Sequence, residues 1–264
     1  MSEEFDGFRL EVRPDGVAVV TFDRPATLNS LNAQTLGDFV RAVRGLGESD
    51  ACGAVVITGA NGAFTTGMDL SGSAMNTGEK ELMLQVYEAM RHAVGATLVL
   101  REIPQPVIAA VSGPAVGGGF ALATAADIRF GAPDAMFLAP FLKLGVSVGD
   151  MGLSWMLPRL IGPGAAAEVL YSGNPLGAEE AHRLGLLQHV VPDPLEAATK
   201  LAAKIAARPR LAVRMSKELL NASISAGGLR EHMEMEMRSQ VIGLMSEDHR
   251  TALKEFAARR AGKG

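Results

Sequence analysis

The sequence predicts an α/β fold with a C-terminal helical region, and three observations carry that expectation. Short apolar runs at Ala54 to Thr58 and Val107 to Val111 read as strands buried on both faces. Helical patterns alternate with such runs through the first half of the chain. Beyond residue 163 the pattern is nearly all helix, so strand signals concentrate before it. With 264 residues, 48% of them hydrophobic, the chain can bury a large core, and no linker argues for two separate domains.

Each element has a local reason. Arg9 to Phe22 reads as a hairpin, because Pro14-Asp15-Gly16 supplies turn chemistry between two runs of strand character. Asn32 is a plausible N-cap for a helix whose Leu36, Phe39, Val40 and Val43 share one face, and Gly45 and Gly47 close it. After the strand at 54–58 and a Gly-rich loop, residues 71–80 are polar and read as a surface loop. Glu79 to Arg101 reads as a long helix, with Leu82, Val86 and Met90 four apart, stopping before Pro104. Ser112-Gly113-Pro114 turns the next strand toward a helix that opens at Gly117-Gly118-Gly119 and continues through Phe120, Ala121 and Leu122. Asp127 to Phe130 and Ala135 to Phe137 read as short strands, and a helix is expected from about Met151 to Ile161.

Bulk properties exclude several classes. A net charge of −4 gives no electrostatic footprint for nucleic acid or for an anionic membrane. The acidic start MSEEFDGF lacks the basic and apolar regions of a signal peptide, and the apolar region 107–126 is interrupted by Pro114 and glycines, so a soluble cytoplasmic protein is expected. The single cysteine, Cys52, rules out an internal disulfide framework and reads as a small buried hydrophobe. His92, His182, His189, His232 and His249 form no metal-ligand spacing, so no metal is expected.

Most of the functional signal lies in Val107 to Ala121. N–H groups at a helix start lack intrahelical partners and carry the positive end of the helix dipole. Three glycines there leave them open to an anionic oxygen, although the glycines would equally serve close packing alone. The dinucleotide pattern G-x-G-x-x-G fails at Leu122, and no Gly-Lys-Ser/Thr follows to make a P-loop. A second stretch accompanies the first: Ala63-Phe64-Thr65-Thr66-Gly67-Met68-Asp69-Leu70, about fifty residues before the glycine triplet.

Together the two stretches resemble the crotonase (enoyl-CoA hydratase/isomerase) superfamily, with its strand, A-F-x-x-G-x-D-L, then strand and G-x-x-x-G-G-G. Asp23-Arg24-Pro25, Asn29 to Asn32, Leu157-Pro158-Arg159 and Ala178 to Ala181 extend the resemblance over nearly the whole chain. It implies a spiral of ββα units, with a core over 1–195 and a helical oligomerisation region over 196–264 that builds a trimer or a dimer of trimers. It also implies an acyl-CoA substrate that brings its own coenzyme A, with no other cofactor. By resemblance the backbone N–H groups of Met68 and Gly118 form the oxyanion hole. Arg24, Ala26, Leu28, Ala63, Thr66, Asp69, Leu70 and Gly117 fall on segments around the coenzyme A and acyl site, with Asp69 and Asp127 read as bonding loop backbone. Lys254, Arg259 and Arg260 would meet the phosphates or form a solvated charge run.

The chain departs from the standard hydratase at both catalytic glutamates, where it carries Ala121 and Phe141. Neither side chain can exchange a proton, so the two-carboxylate hydration mechanism is excluded. One carboxylate, Asp150, stands at the helix-start position where dienoyl-CoA isomerases and chlorobenzoyl-CoA dehalogenases carry a functional aspartate. Apolar neighbours such as Phe141, Leu144 and Trp155 would raise its pKa, and a helix N-cap is its other reading. Isomerisation with Asp150 as sole acid/base is the first expectation. Thioester hydrolysis, dehalogenation or decarboxylation, and silent acyl-CoA binding, are the alternatives.

Overall fold

The computed structural model describes residues 2–69 and 79–261, and the chain divides into two compact units, Met1–Ala206 and Ala207–Gly264. The first unit opens with strands β1 (Ser2–Phe5), β2 (Phe8–Val12) and β3 (Val17–Phe22), helix α1 (Ala33–Glu48), strand β4 (Ala54–Gly59) and helix α2 (Glu79–Glu102). Strands β5 (Val107–Val111) and β6 (Pro114–Val116) lead into α3 (Gly118–Ala125), followed by β7 (Ile128–Gly131), β8 (Met136–Leu138), α4 (Leu153–Ile161) and α5 (Pro163–Ser172). The unit ends with β9 (Leu176–Gly177), α6 (Ala178–Arg183), β10 (His189–Val190) and α7 (Pro194–Ala206). The division thus falls after α7 rather than at residue 195, because α7 packs on β3, β4, β5 and β7.

A seven-stranded sheet runs in the order β1-β2-β3-β4-β5-β7-β10, antiparallel from β1 to β3 and parallel from β3 onward. Its central strands explain their unbroken apolar character. Val55, Ile57, Ala109 and Val111 pack in the larger core with Leu36, Phe39 and Leu100, whereas Ala54, Val56, Ile108 and Ala110 pack against Ala198, Ala202 and Ala206 of α7. Both faces are covered, so residues of either parity must be apolar. Parallel strands carry their ligands at their carboxyl ends, and the loops after β4 and β5 both leave from there.

Asn32 caps α1 as expected, its side chain accepting from the Thr35 N–H at 2.7 Å. Four details depart from the sequence expectation. β1 was not foreseen; β6 occupies what read as a turn and forms a second sheet with β8 and β9; and two-residue strands β9 and β10 lie beyond residue 163. Helix α4 begins at Leu153, because Met151 (φ 47°) and Gly152 (φ 81°) are left-handed and cannot continue a right-handed helix.

The second unit is helical, with α8 (Arg210–Ser223), α9 (Leu229–Met245) and α10 (Glu247–Ala261). The α9 stripe of Met233, Met237, Val241 and Met245 is exposed, so it is not part of this chain's own core. Among the described residues no helix is long and apolar enough to cross a membrane.

Candidate active site

Two loops are bound to each other before any side-chain chemistry enters. Asn29, at φ 63° and fully buried, accepts the Arg24 N–H at 2.9 Å and donates to the carbonyls of Ala60 (2.9 Å) and Ala63 (2.7 Å). Asparagine tolerates this left-handed conformation better than most residues. The Thr66 hydroxyl donates to the Thr27 carbonyl at 3.0 Å, and the Thr66 N–H reaches the Leu28 carbonyl. Leu31 N–H donates to Gly67 O, while Asp69 N–H donates to Leu31 O. Asn29→Ala is expected to lower unfolding stability by about 2–3 kcal/mol, since it leaves buried carbonyls unpaired. A urea midpoint equal to that of the unaltered protein would show that the loops hold without it.

The same loop is fixed on its other side by the start of β6. Thr65 N–H donates to Pro114 O, and Val116 N–H donates to Thr65 O. Gly67 (φ 80°) has no room for a side chain, because a Cβ would run into the Val116 carbonyl and stand 3.1 Å from the Gly118 nitrogen. A Cβ on Gly119 would likewise meet the Thr65 carbonyl. The glycines bring the Met68 peptide and the start of α3 together. Gly117 N–H is taken by Leu138 O at 2.8 Å, whereas the N–H groups of Met68 and Gly118 have no protein acceptor among the described residues.

Helix α3 is buried along its whole length, and its two ends are electrostatically distinct. Arg129 lies inside the core and donates to the carbonyls of Ala123, Thr124 and Ala126 at the helix C-terminus, and to Leu186 O at 2.7 Å. Burial pulls its guanidinium down to about 10, still protonated at neutral pH. A cation at the C-terminus complements the helix dipole, and the uncapped N-terminus at Gly118 keeps its positive end available. Asp127, as expected, bonds backbone: it accepts the Val107 N–H at 2.8 Å and pairs with Arg101.

Asp150 immediately precedes Met151, which packs against this helix start. Met151 is buried, and its Sδ lies 2.9 Å from where a Cβ on Gly118 would be. Phe141 is buried with its ring 3.7 Å from the corresponding position on Gly117. The helix-cap reading of Asp150 fails, because the N-cap of α4 is Gly152 and no side chain caps it. One Asp150 carboxylate oxygen is instead buried without a hydrogen-bond partner among the described residues, and desolvation raises the carboxyl above its ordinary value. Leu144 and Trp155, the other apolar neighbours expected around it, are more than half exposed.

The whole chain has known relatives. The family model described as enoyl-CoA hydratase/isomerase matches residues 12–263. The chain belongs to the enoyl-CoA hydratase/isomerase family. A Mycobacterium tuberculosis H37Rv protein named a probable enoyl-CoA hydratase is 38% identical over 248 residues, 93% of each chain. The 1,2-epoxyphenylacetyl-CoA isomerase of Escherichia coli K12 is 31% identical, covering 93% of this chain and 94% of that one. The crystal structure of an enoyl-CoA hydratase from Bacillus anthracis superposes with a TM-score of 0.89 at 30% identity, covering 96% of each chain.

Ala121 and Phe141 are both buried. Gly67, which precedes Met68, packs against Gly118, and the Phe141 ring stands against Gly117. The Trp155 ring lies under the Arg159 guanidinium at 3.3 Å. Arg24 is tied to Ser30 O at 2.9 Å and to Asp69 at 3.6 Å, which bridges the two loops. Ala26 and Leu28 are exposed on the first loop, and Ala63 is buried in the second. Leu70 and residues 71–78, as well as the side chains of Arg259 and Arg260, lie outside the described residues, while Lys254 is exposed. The sequence missed Asn29 as a staple and Met151 as a wall; only the former had a signal, an asparagine in a loop ahead of a helix.

Proposed function

We propose that this protein is an acyl-CoA double-bond isomerase of the enoyl-CoA hydratase/isomerase family, with Asp150 as its sole acid/base. The observation that carries this reading is the Asp150 carboxylate oxygen, buried and without a partner among the described residues; the resemblance puts apolar Ala121 and Phe141 at the hydratase glutamate positions. Ionised Asp150 takes a proton from the α-carbon of a β,γ-unsaturated thioester, and the electron pair moves onto the thioester oxygen. The N–H groups of Met68 and Gly118 donate to that oxygen as charge develops, support whose removal typically costs a hundredfold or more in rate. Reprotonation at the γ-carbon by the same carboxyl group leaves the α,β-unsaturated product and restores the base. No water is consumed, so one carboxylate suffices.

Coenzyme A arrives with the substrate, and no metal or prosthetic group takes part. Arg24, Ala26, Leu28, Ala63, Thr66, Asp69 and Leu70 belong to the loops that would cradle it, with Gly117, Phe141 and Trp155 toward the acyl end. The exposed methionine stripe of α9 supports assembly into trimers or paired trimers, and one cysteine in the chain suits a cytoplasmic protein.

Mass spectrometry of a β,γ-unsaturated acyl-CoA incubated in heavy water with the enzyme tests the reaction. Bond migration with deuterium uptake and no added water is the expected result. Gain of one water would make the protein a hydratase that needs no glutamate pair. Binding without exchange or turnover would make it a silent binder.

A further inference from the structure

We propose that Met151 limits the bulk that this site accepts next to the thioester, excluding acyl groups branched at the α-carbon. The inference rests on the acyl-CoA reading above and adds a selectivity to it. Met151 has φ 47°, a conformation that residues other than glycine, asparagine and aspartate seldom hold. Such backbone strain persists only where the surroundings enforce it, and it concentrates at functional sites. Here the side chain is 2% exposed and its thioether is pressed onto the Cα side of Gly118, with Sδ at 2.9 Å and Cε at 3.9 Å from a Cβ position there.

An acyl carbonyl held by the Gly118 N–H must set its α-carbon within a few ångströms of that helix start. Met151 fills space on one side of Gly118, Phe141 stands against Gly117, and the Gly67 backbone closes a third direction. Asp150 immediately precedes Met151 in the chain. A linear acyl chain leaves past these groups, whereas a methyl branch at the α-carbon must displace the thioether.

Calorimetric binding of butyryl-CoA and isobutyryl-CoA tests this, because both are saturated and affinity is read without double-bond chemistry. The unaltered protein should bind the linear thioester about tenfold more tightly or better, the discrimination a methyl-sized clash supports. Met151→Gly takes the left-handed φ without strain and opens the space, so the two affinities should come within about threefold. Met151→Leu keeps the bulk and should keep the preference. If thermal melting shows that Met151→Gly is unfolded, Met151→Ala is measured in its place with the same expectation. Equal ratios in the unaltered and small-residue proteins, or no preference in the unaltered one, would overturn the inference and leave the acyl-CoA reading intact. Failure of both thioesters to bind the unaltered protein would instead overturn that reading, and this inference with it.

Discussion

Asp150→Asn is expected to cut turnover of a β,γ-unsaturated acyl-CoA by two to four orders of magnitude, the range removed with a general base. Acyl-CoA affinity should hardly change, because the asparagine keeps the shape of the side chain. The pH dependence follows from the direction of the shift. Burial raises the Asp150 pKa above 3.8, so the base is lost as pH falls through a value above the ordinary aspartate one. The acid limb of kcat/KM should therefore be shifted upward from that ordinary value and vanish in the variant. Stability runs the other way. A raised native pKa means that the folded protein binds this proton more tightly than the unfolded chain, so ionisation costs stability as pH rises through the interval between the two values. Asp150→Asn should thus melt at a higher temperature than the unaltered protein at neutral pH, the difference closing near about pH 3. Retained turnover would remove Asp150 from the reaction.

The second large effect is expected at Gly67. A side chain there meets the Val116 carbonyl and must also adopt φ 80°, so Gly67→Ala should lose about 3 kcal/mol of stability from overpacking and left-handed strain together. Because Met68 follows directly, turnover should fall a hundredfold or more with loss of an aligned donor. Gly118→Ala is the informative contrast. Its Cβ meets the flexible end of Met151, which can shift, so the variant should fold nearly normally yet show impaired turnover. Parallel denaturation and rate measurements on the two variants separate the effects, and wild-type rates in Gly67→Ala would show that the loop tolerates a different path.

Much of this was legible in the chain because the relevant signals are local. The apolar strand runs, the Asn32 cap and the glycine triplet each state their own conformation. What stayed hidden depends on distant contacts. β1 is a largely exposed edge strand with no apolar run, and β9 and β10 are two residues each, too short to show a period. Met151 has no sequence mark, since nothing in a methionine announces a left-handed φ or the packing of its thioether against Gly118. Trp155 read as an apolar neighbour of Asp150, whereas the i to i+4 relation with Arg159 gives its half-exposed ring a cation.

The two N–H groups between Gly67 and Gly118 have a consequence for how such a site is found by mutation. An alanine scan works by deleting side chains, and at Gly118 there is none to delete, while truncating Met68 leaves its peptide nitrogen in place. A scan read by activity loss would therefore highlight Asp150 and pass over the N–H groups proposed to receive the developing charge. Their contribution becomes visible only by adding atoms, or by replacing the peptide N–H with an ester oxygen during chemical synthesis of the chain.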